Sequence, residues 1–148
     1  MAIRTLRLDE EWEFVSKYDQ AEDPAEQTIF LLGNLSSRVV SFLQDGSTKF
    51  RPTQGDDGKA DSMEADFLPN SLAYEVVRFG LRGVRNLQDP DGNPVQFQTA
   101  KRTVRGTTQT CAVEVILKAL PLDLIRELSE EIQKNNSLDE ADTKNSDG

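Results

Sequence analysis

The chain has 148 residues, enough for one domain with a modest core. Asp and Glu number 26 against 17 Lys and Arg, a formal net charge of −9, and that balance counts against a general nucleic-acid binder, whose phosphate contacts need clustered cations. A single cysteine, Cys111, excludes an intramolecular disulfide, and the absence of histidine removes the usual partner of a catalytic thiol or serine and the commonest nitrogen ligand of zinc.

No apolar run approaches the length of a membrane span, and Met1-Ala2-Ile3-Arg4 begins no secretion signal, so a cytoplasmic site of synthesis is expected. Trp12 to Tyr18 alternates large apolar with polar residues and reads as a half-buried strand. A polar connection, Gln20 to Gln27 with Asp23-Pro24, leads to a second strand, Thr28-Ile29-Phe30-Leu31-Leu32, closed by Gly33. Two such strands pair naturally as an antiparallel hairpin, leaving Trp12, Phe14, Tyr18 and Phe30 to be covered. Ser36 or Ser37 then caps a short helix carrying Val39, Val40, Phe42 and Leu43, which ends near Asp45-Gly46. Gln44 to Asp66 has little apolar content and no periodicity, and reads as a mobile loop.

Asn70 or Ser71 is the expected cap of the next helix, with Leu72, Val76 and Phe79 on one face and Gly80 or Gly83 at its end. Asp89-Pro90-Asp91-Gly92 has Asp and Pro at the first two positions of a tight turn, flanked by Leu87, Val95 and Phe97, so a hairpin-like loop is predicted. A polar, Thr- and Arg-rich stretch, Gln98 to Thr110, precedes Ala112 to Leu120, which is apolar enough for a buried helix. Pro121 suits the start of a further helix striped by Leu124, Ile125, Leu128 and Ile132. Ser137-Leu138-Asp139-Glu140 has capping-box spacing before a polar end. The expected architecture is therefore α+β, an N-terminal antiparallel β-hairpin packed with a mainly helical second half. Residues 1–135 form one domain with a flexible 44–66 loop, and 136–148 form a polar, acidic, frayed tail.

Tests for chemistry return structural readings. Asp89, Asp91 and Asn93 resemble the start of a calcium loop, but Pro94 stands in place of the required Gly and Ala100 in place of the bidentate Glu. Gly55-Asp-Asp-Gly58-Lys59 lacks the Ser or Thr that a phosphate-binding loop needs after its Lys. The run Asp9-Glu10-Glu11-Glu13 reads as a solvated strand edge. Cys111 reads as a small core residue. Arg78, Arg82, Arg85, Lys101, Arg102 and Arg105 read as solvated faces that balance nearby acids. No catalytic residue, metal ligand or cofactor site is expected, and the chain is read as not an enzyme.

Three stretches together resemble small proteins of the structural gene cassette of tailed bacteriophages and prophages, of the tail assembly chaperone-like kind. They are Trp12 to Leu32 around Tyr18-Asp19 and Asp23-Pro24; Val77 to Asn86 running into Asp91-Gly92-Asn93-Pro94-Val95-Gln96-Phe97; and Leu120-Pro121-Leu122-Asp123-Leu124-Ile125-Arg126-Glu127-Leu128 with the polar end that follows. Val84 stands where that family usually carries Trp. The resemblance implies a non-enzymatic protein that binds a phage tail or connector component, in the cytoplasm of the bacterial host or in the virion. Leu124, Ile125, Leu128 and Ile132, with Phe79 and Phe97, are then the candidate partner-binding residues, ordinary core being the alternative for each. Rival readings are a permanent head–tail connector or tail-ring protein, with homo-oligomers, and a phage-encoded regulator of a host protein.

Overall fold

The computed structural model describes residues 2–54 and 60–137. Strand β1 (Glu11–Phe14) pairs antiparallel with β2 (Ile29–Gly33), from Glu11 opposite Gly33 to Phe14 opposite Phe30. On its other edge β2 pairs antiparallel with β5 (Leu81–Arg85), across a bulge at Leu31/Leu32. The sheet order is thus β1-β2-β5, and the α+β class with its N-terminal hairpin is as expected.

Helix α1 (Ser37–Gly46) starts where its serine places it, with the Ser36 hydroxyl accepting the Val39 N–H at 3.2 Å. Helix α2 (Pro69–Gly80) begins earlier than its polar residues suggest. Pro69 occupies the first turn, where a missing N–H costs nothing, and the Asn70 side chain is drawn away to accept from Arg126 Nε at 3.1 Å. It ends at Gly80, and β5 begins at the next residue.

The segment read as a loop over 44–66 is a correction. Gln44 to Gly46 belong to α1, and β3 (Thr48–Gln54) pairs antiparallel with β4 (Ala60–Phe67), from Thr48 opposite Phe67. A two-stranded ladder satisfies its own backbone, so it forms without the apolar alternation that marks a half-buried strand. Residues 55–59, between the strands, lie outside the described residues. At the base, the Leu68 N–H donates to the Ser47 carbonyl at 2.8 Å.

The polar stretch 98–110 is also a hairpin. Strand β6 (Thr99–Val104) pairs with β7 (Thr107–Ala112) around Arg105-Gly106, both at positive φ of 49° and 83°. That is the type I′ geometry whose twist matches the flanking strands; Arg is an uncommon residue for its first position, which hid the turn. The Asp89–Gly92 turn is present, with the Gly92 N–H on the Asp89 carbonyl at 3.0 Å and a bridge between Gln88 and Pro94 behind it. Helix α3 (Glu114–Ala119) is shorter than the expected 112–120, because Ala112 completes β7.

Helix α4 (Leu122–Asn136) carries the predicted stripe and packs on α2. Its last residue is tied down rather than frayed, which corrects the expected tail boundary. Asn136 Nδ2 donates to the Leu35 carbonyl at 2.6 Å, and Asn136 Oδ1 accepts the Leu35 N–H at 3.2 Å. Residues 138–148, including most of the predicted capping box, lie outside the described residues. One apolar cluster gathers Phe30 and Leu32 of β2, Val39 and Leu43 of α1, Val76, Val77 and Phe79 of α2, Cys111 of β7 and Ile125, Leu128 and Ile132 of α4.

A Cβ built on Gly80 would lie 2.5 Å from Ile132 Cδ1 and 3.1 Å from two further Ile132 carbons. Gly80→Ala is therefore expected to destabilise by about 1–3 kcal/mol through overpacking. Ile132→Val removes the offending Cδ1, so the double variant should lose less than the sum of the single losses in urea-unfolding measurements.

Candidate functional site

Four of the six residues expected to bind a partner are core. Ile125, Leu128, Ile132 and Phe79 are buried, because the α4 stripe and the end of α2 face each other. A surface built on these four is therefore a correction: their side chains are already covered. Phe97 is half-buried and packed against the same cluster. Leu124, half-buried at the first turn of α4, lines an open concavity.

That concavity is a groove of about 490 Å³. Its walls come from the chain after β1 (Ser16 to Gln20), Thr28 and Phe30 at β2, Leu87 just beyond β5, and Pro121, Asp123 and Leu124 at the start of α4. Phe30, Leu87 and Leu124 make its apolar surface. Tyr18, 52% exposed, stands at its side with the Lys17 ammonium 5.2 Å from its ring centroid. Leu122, next to Pro121, is also exposed. The rim is acidic: Asp19 lies in the wall, and the Asp123 carboxylate is 71% exposed, with Arg126 at 3.6 Å.

The walls are held by polar contacts that the sequence encodes locally. Ser16, buried, accepts the Tyr18 N–H at 3.0 Å. Asp19 accepts the N–H groups of Ala21 at 3.0 Å and Thr28 at 2.7 Å, pinning both ends of the connection between β1 and β2. Within it, Asp23 caps a 3₁₀ turn over Pro24–Glu26. The Lys17 N–H donates to Glu127 Oε2 at 3.0 Å and joins this wall to α4. Asn86 joins it to β5. At φ +61°, a region Asn tolerates better than most residues, its Nδ2 donates to the carbonyls of Ala25 and Gln27 at 3.1 Å each, and its own carbonyl accepts from the Thr28 hydroxyl at 2.9 Å.

The basic run resolves into ion pairs and hydrogen bonds. Glu75 lies between Arg102 at 3.2 Å and Arg78 at 3.6 Å, and Arg78 also faces Glu114 at 3.9 Å. Arg105 pairs with Asp45 at 2.6 Å and Arg85 pairs with Glu13. Arg82 donates to the carbonyls of Asn34 and Phe79, and Lys101 to the Thr110 hydroxyl. A second concavity of about 460 Å³ lies beside Phe42, Tyr74, Glu75 and Arg102, where Glu75 and Arg102 already neutralise each other. The Asp89 carboxylate is likewise engaged, accepting the N–H groups of Asp91 and Asn93 at 2.9 Å each as a turn does. Cys111 is buried.

Among the described residues no group of three or more Asp, Glu or Cys side chains could hold a metal ion, and no helix is long and apolar enough to cross a membrane. The protein is α+β, and its groove is an apolar concavity with an acidic rim. Compared with known proteins, the chain matches no family model, no curated protein and no solved structure.

Sequence reasoning missed Leu87 as a groove residue and placed Tyr18 only among aromatics needing cover. The signal that could have marked both is local: Asp19 and Asn86 are residues that build turns, one beside the exposed Tyr18 and the other beside the half-buried Leu87. Asn86→Ala removes two hydrogen bonds and strains the left-handed backbone, whereas Asn86→Gly removes the bonds and relaxes the backbone. Urea unfolding should show a loss of about 1–2 kcal/mol for the alanine variant and a smaller one for glycine.

Proposed function

We propose that this chain is a non-enzymatic binding protein of tailed-phage morphogenesis, a chaperone-like partner that covers an apolar, basic segment of a tail or connector component until assembly buries it. The observation that carries the binding reading is the groove, with Leu87 and Leu124 in its walls, Tyr18 and Leu122 exposed beside it, and Asp123 on its rim. An apolar side chain entering it leaves water at a gain of roughly 25 cal/mol per Å² of apolar surface buried. A neighbouring Lys or Arg of the same segment meets Asp123 in a chain whose net charge of −9 attracts it from a distance.

The kind of partner rests on the resemblance. The stretches that carry it converge on the groove: Tyr18-Asp19 forms one wall, Pro121 to Leu124 another, and Leu87 directly follows Val77–Asn86. Subunits that polymerise expose apolar surface and strand edges before they do so, and such surfaces aggregate unless covered. A permanent place in the particle is the second reading, favoured by the β3–β4 ladder, which pairs with no further strand among the described residues.

Tagged protein recovered from phage-producing cells is expected to bring down a tail or connector subunit in stoichiometric amount. The double variant Tyr18→Ser, Leu124→Gln should lower that recovery by about tenfold or more, the effect of losing a central apolar contact, with thermal unfolding as the control for folding. A stoichiometric host protein in place of the phage subunit, or unchanged recovery with the folded double variant, overturns the reading.

A further inference from the structure

A cleft of about 320 Å³ lies between Asn34 and Leu35, which follow β2, and Thr108, Gln109 and Thr110 of β7, with Arg82 in its wall. No Asp or Glu lines it, in a chain that carries 26 of them. Its one cation is fixed in place and partly unused. Arg82 Nε donates to the Phe79 carbonyl at 3.2 Å and Nη2 to the Asn34 carbonyl at 2.8 Å, which sets the guanidinium plane. Among the described residues Nη1 meets no acceptor, and it is not sealed from solvent. Asn34 carries the opposite shortage. It is only 6% exposed and its Nδ2 donates to the Arg7 carbonyl at 3.0 Å, yet its Oδ1 has no donor, a costly state for a buried acceptor.

The facing wall is a strand edge. The Val113 N–H donates to the Gln98 carbonyl at 3.1 Å, and bonded pairs recur at every second residue of an antiparallel ladder. The pairs Ala100–Cys111, Arg102–Gln109 and Val104–Thr107 therefore carry the hydrogen bonds between β6 and β7. Thr108 and Thr110, both exposed, turn their backbone N–H and C=O groups away from β6, and β7 has no other strand neighbour among the described residues. The cleft thus sets an unpaired strand edge opposite a guanidinium held for one more acceptor.

We infer that this cleft takes the free C-terminal end of an extended peptide, laid along β7 as an added strand with its carboxylate on Arg82 Nη1. The peptide's backbone groups pair with those of Thr108 and Thr110, which is what an open edge invites. A carboxylate is the acceptor that a pre-set guanidinium suits best, and no wall carboxylate repels it. Leu35, Val39 and Phe79 lend the cleft an apolar side, so a small apolar last residue fits. A free carboxylate without a chain behind it would satisfy Arg82 and leave the strand edge unpaired, which is why the occupant is a peptide. The cleft shares no residue with the groove and does not depend on what the groove binds.

The test titrates the full-length, isotope-labelled chain with acetyl-alanyl-alanyl-valine, with the same peptide amidated at its C-terminus, and with acetate, following backbone amide resonances. Saturable shifts at Thr108, Gln109 and Thr110 are expected with the free acid, and binding about tenfold or more weaker with the amide and with acetate. Arg82→Ala would release two backbone carbonyls, so the variant used is Thr108→Glu, which brings a carboxylate to the cleft from an exposed position. With the rest of its spectrum unchanged, it is expected to bind the free acid about tenfold or more weakly. No saturable shift with the free acid overturns the proposal. So does equal binding of the amide or of acetate, or undiminished binding by folded Thr108→Glu.

Discussion

The contact between Gly80 and Ile132 sets the relation of helices to sheet on which the rest of the molecule depends. Helix α2 passes into β5 with no connecting residue, so the direction of the last sheet strand is fixed by the end of that helix. Only hydrogen at position 80 lets α4 come as close as it does. From Ile132 the two ends of α4 then fall into place. Four residues on, Asn136 clasps Leu35 at the start of α1; eight residues back, about 12 Å along the axis, Leu124 enters the groove. A tilt about the Gly80 contact would therefore open the groove at one end and loosen the Asn136 clasp at the other.

Charge is organised on the same frame. Several arginines of this acidic chain are turned to internal contacts. Arg78 and Arg102 flank Glu75 and stack on Tyr74, Phe42 and Phe79, where ring faces favour a guanidinium. Arg82 is spent on two carbonyls. Acids of the Asp9–Glu11 run are left facing water. The resulting repulsion opposes self-association at low ionic strength, and at physiological salt it is screened over about 8 Å.

The parts of the fold legible in the sequence were those with a strong period or a cap. The β1–β2 pair follows from alternation around Trp12 and Phe14, α1 from Ser36 and its apolar face, and α4 from Leu124, Ile125, Leu128 and Ile132 after Pro121. Two hairpins stayed hidden for the same physical reason. Backbone pairing holds β3 to β4 and β6 to β7, and the side chains of Lys101, Thr103 and Thr107 to Thr110 carry no apolar alternation that would announce it. The stripe on α4 was read correctly as a stripe, but a sequence does not say whether a stripe faces the core or a partner. Packing on α2 decides for the core, apart from Leu124.

The groove could not be read directly because no period encodes it: its walls lie about a hundred residues apart in the chain, from Ser16 to Leu124. Its fasteners, Asp19 and Asn86, are turn-building residues whose side chains hold backbone that no strand or helix satisfies, a local signal the sequence reading did not use. This construction has an energetic consequence. Walls tied by a few exposed or half-buried hydrogen bonds, each worth about 1 kcal/mol, adjust to an entering side chain more readily than walls built from the core. A groove of this size accepts one or two large side chains, well short of the roughly 1,600 Å² buried by a stable protein–protein interface. On the proposed reading, a segment held by this surface alone is held reversibly, and a larger interface forming on the same segment displaces it without any further device.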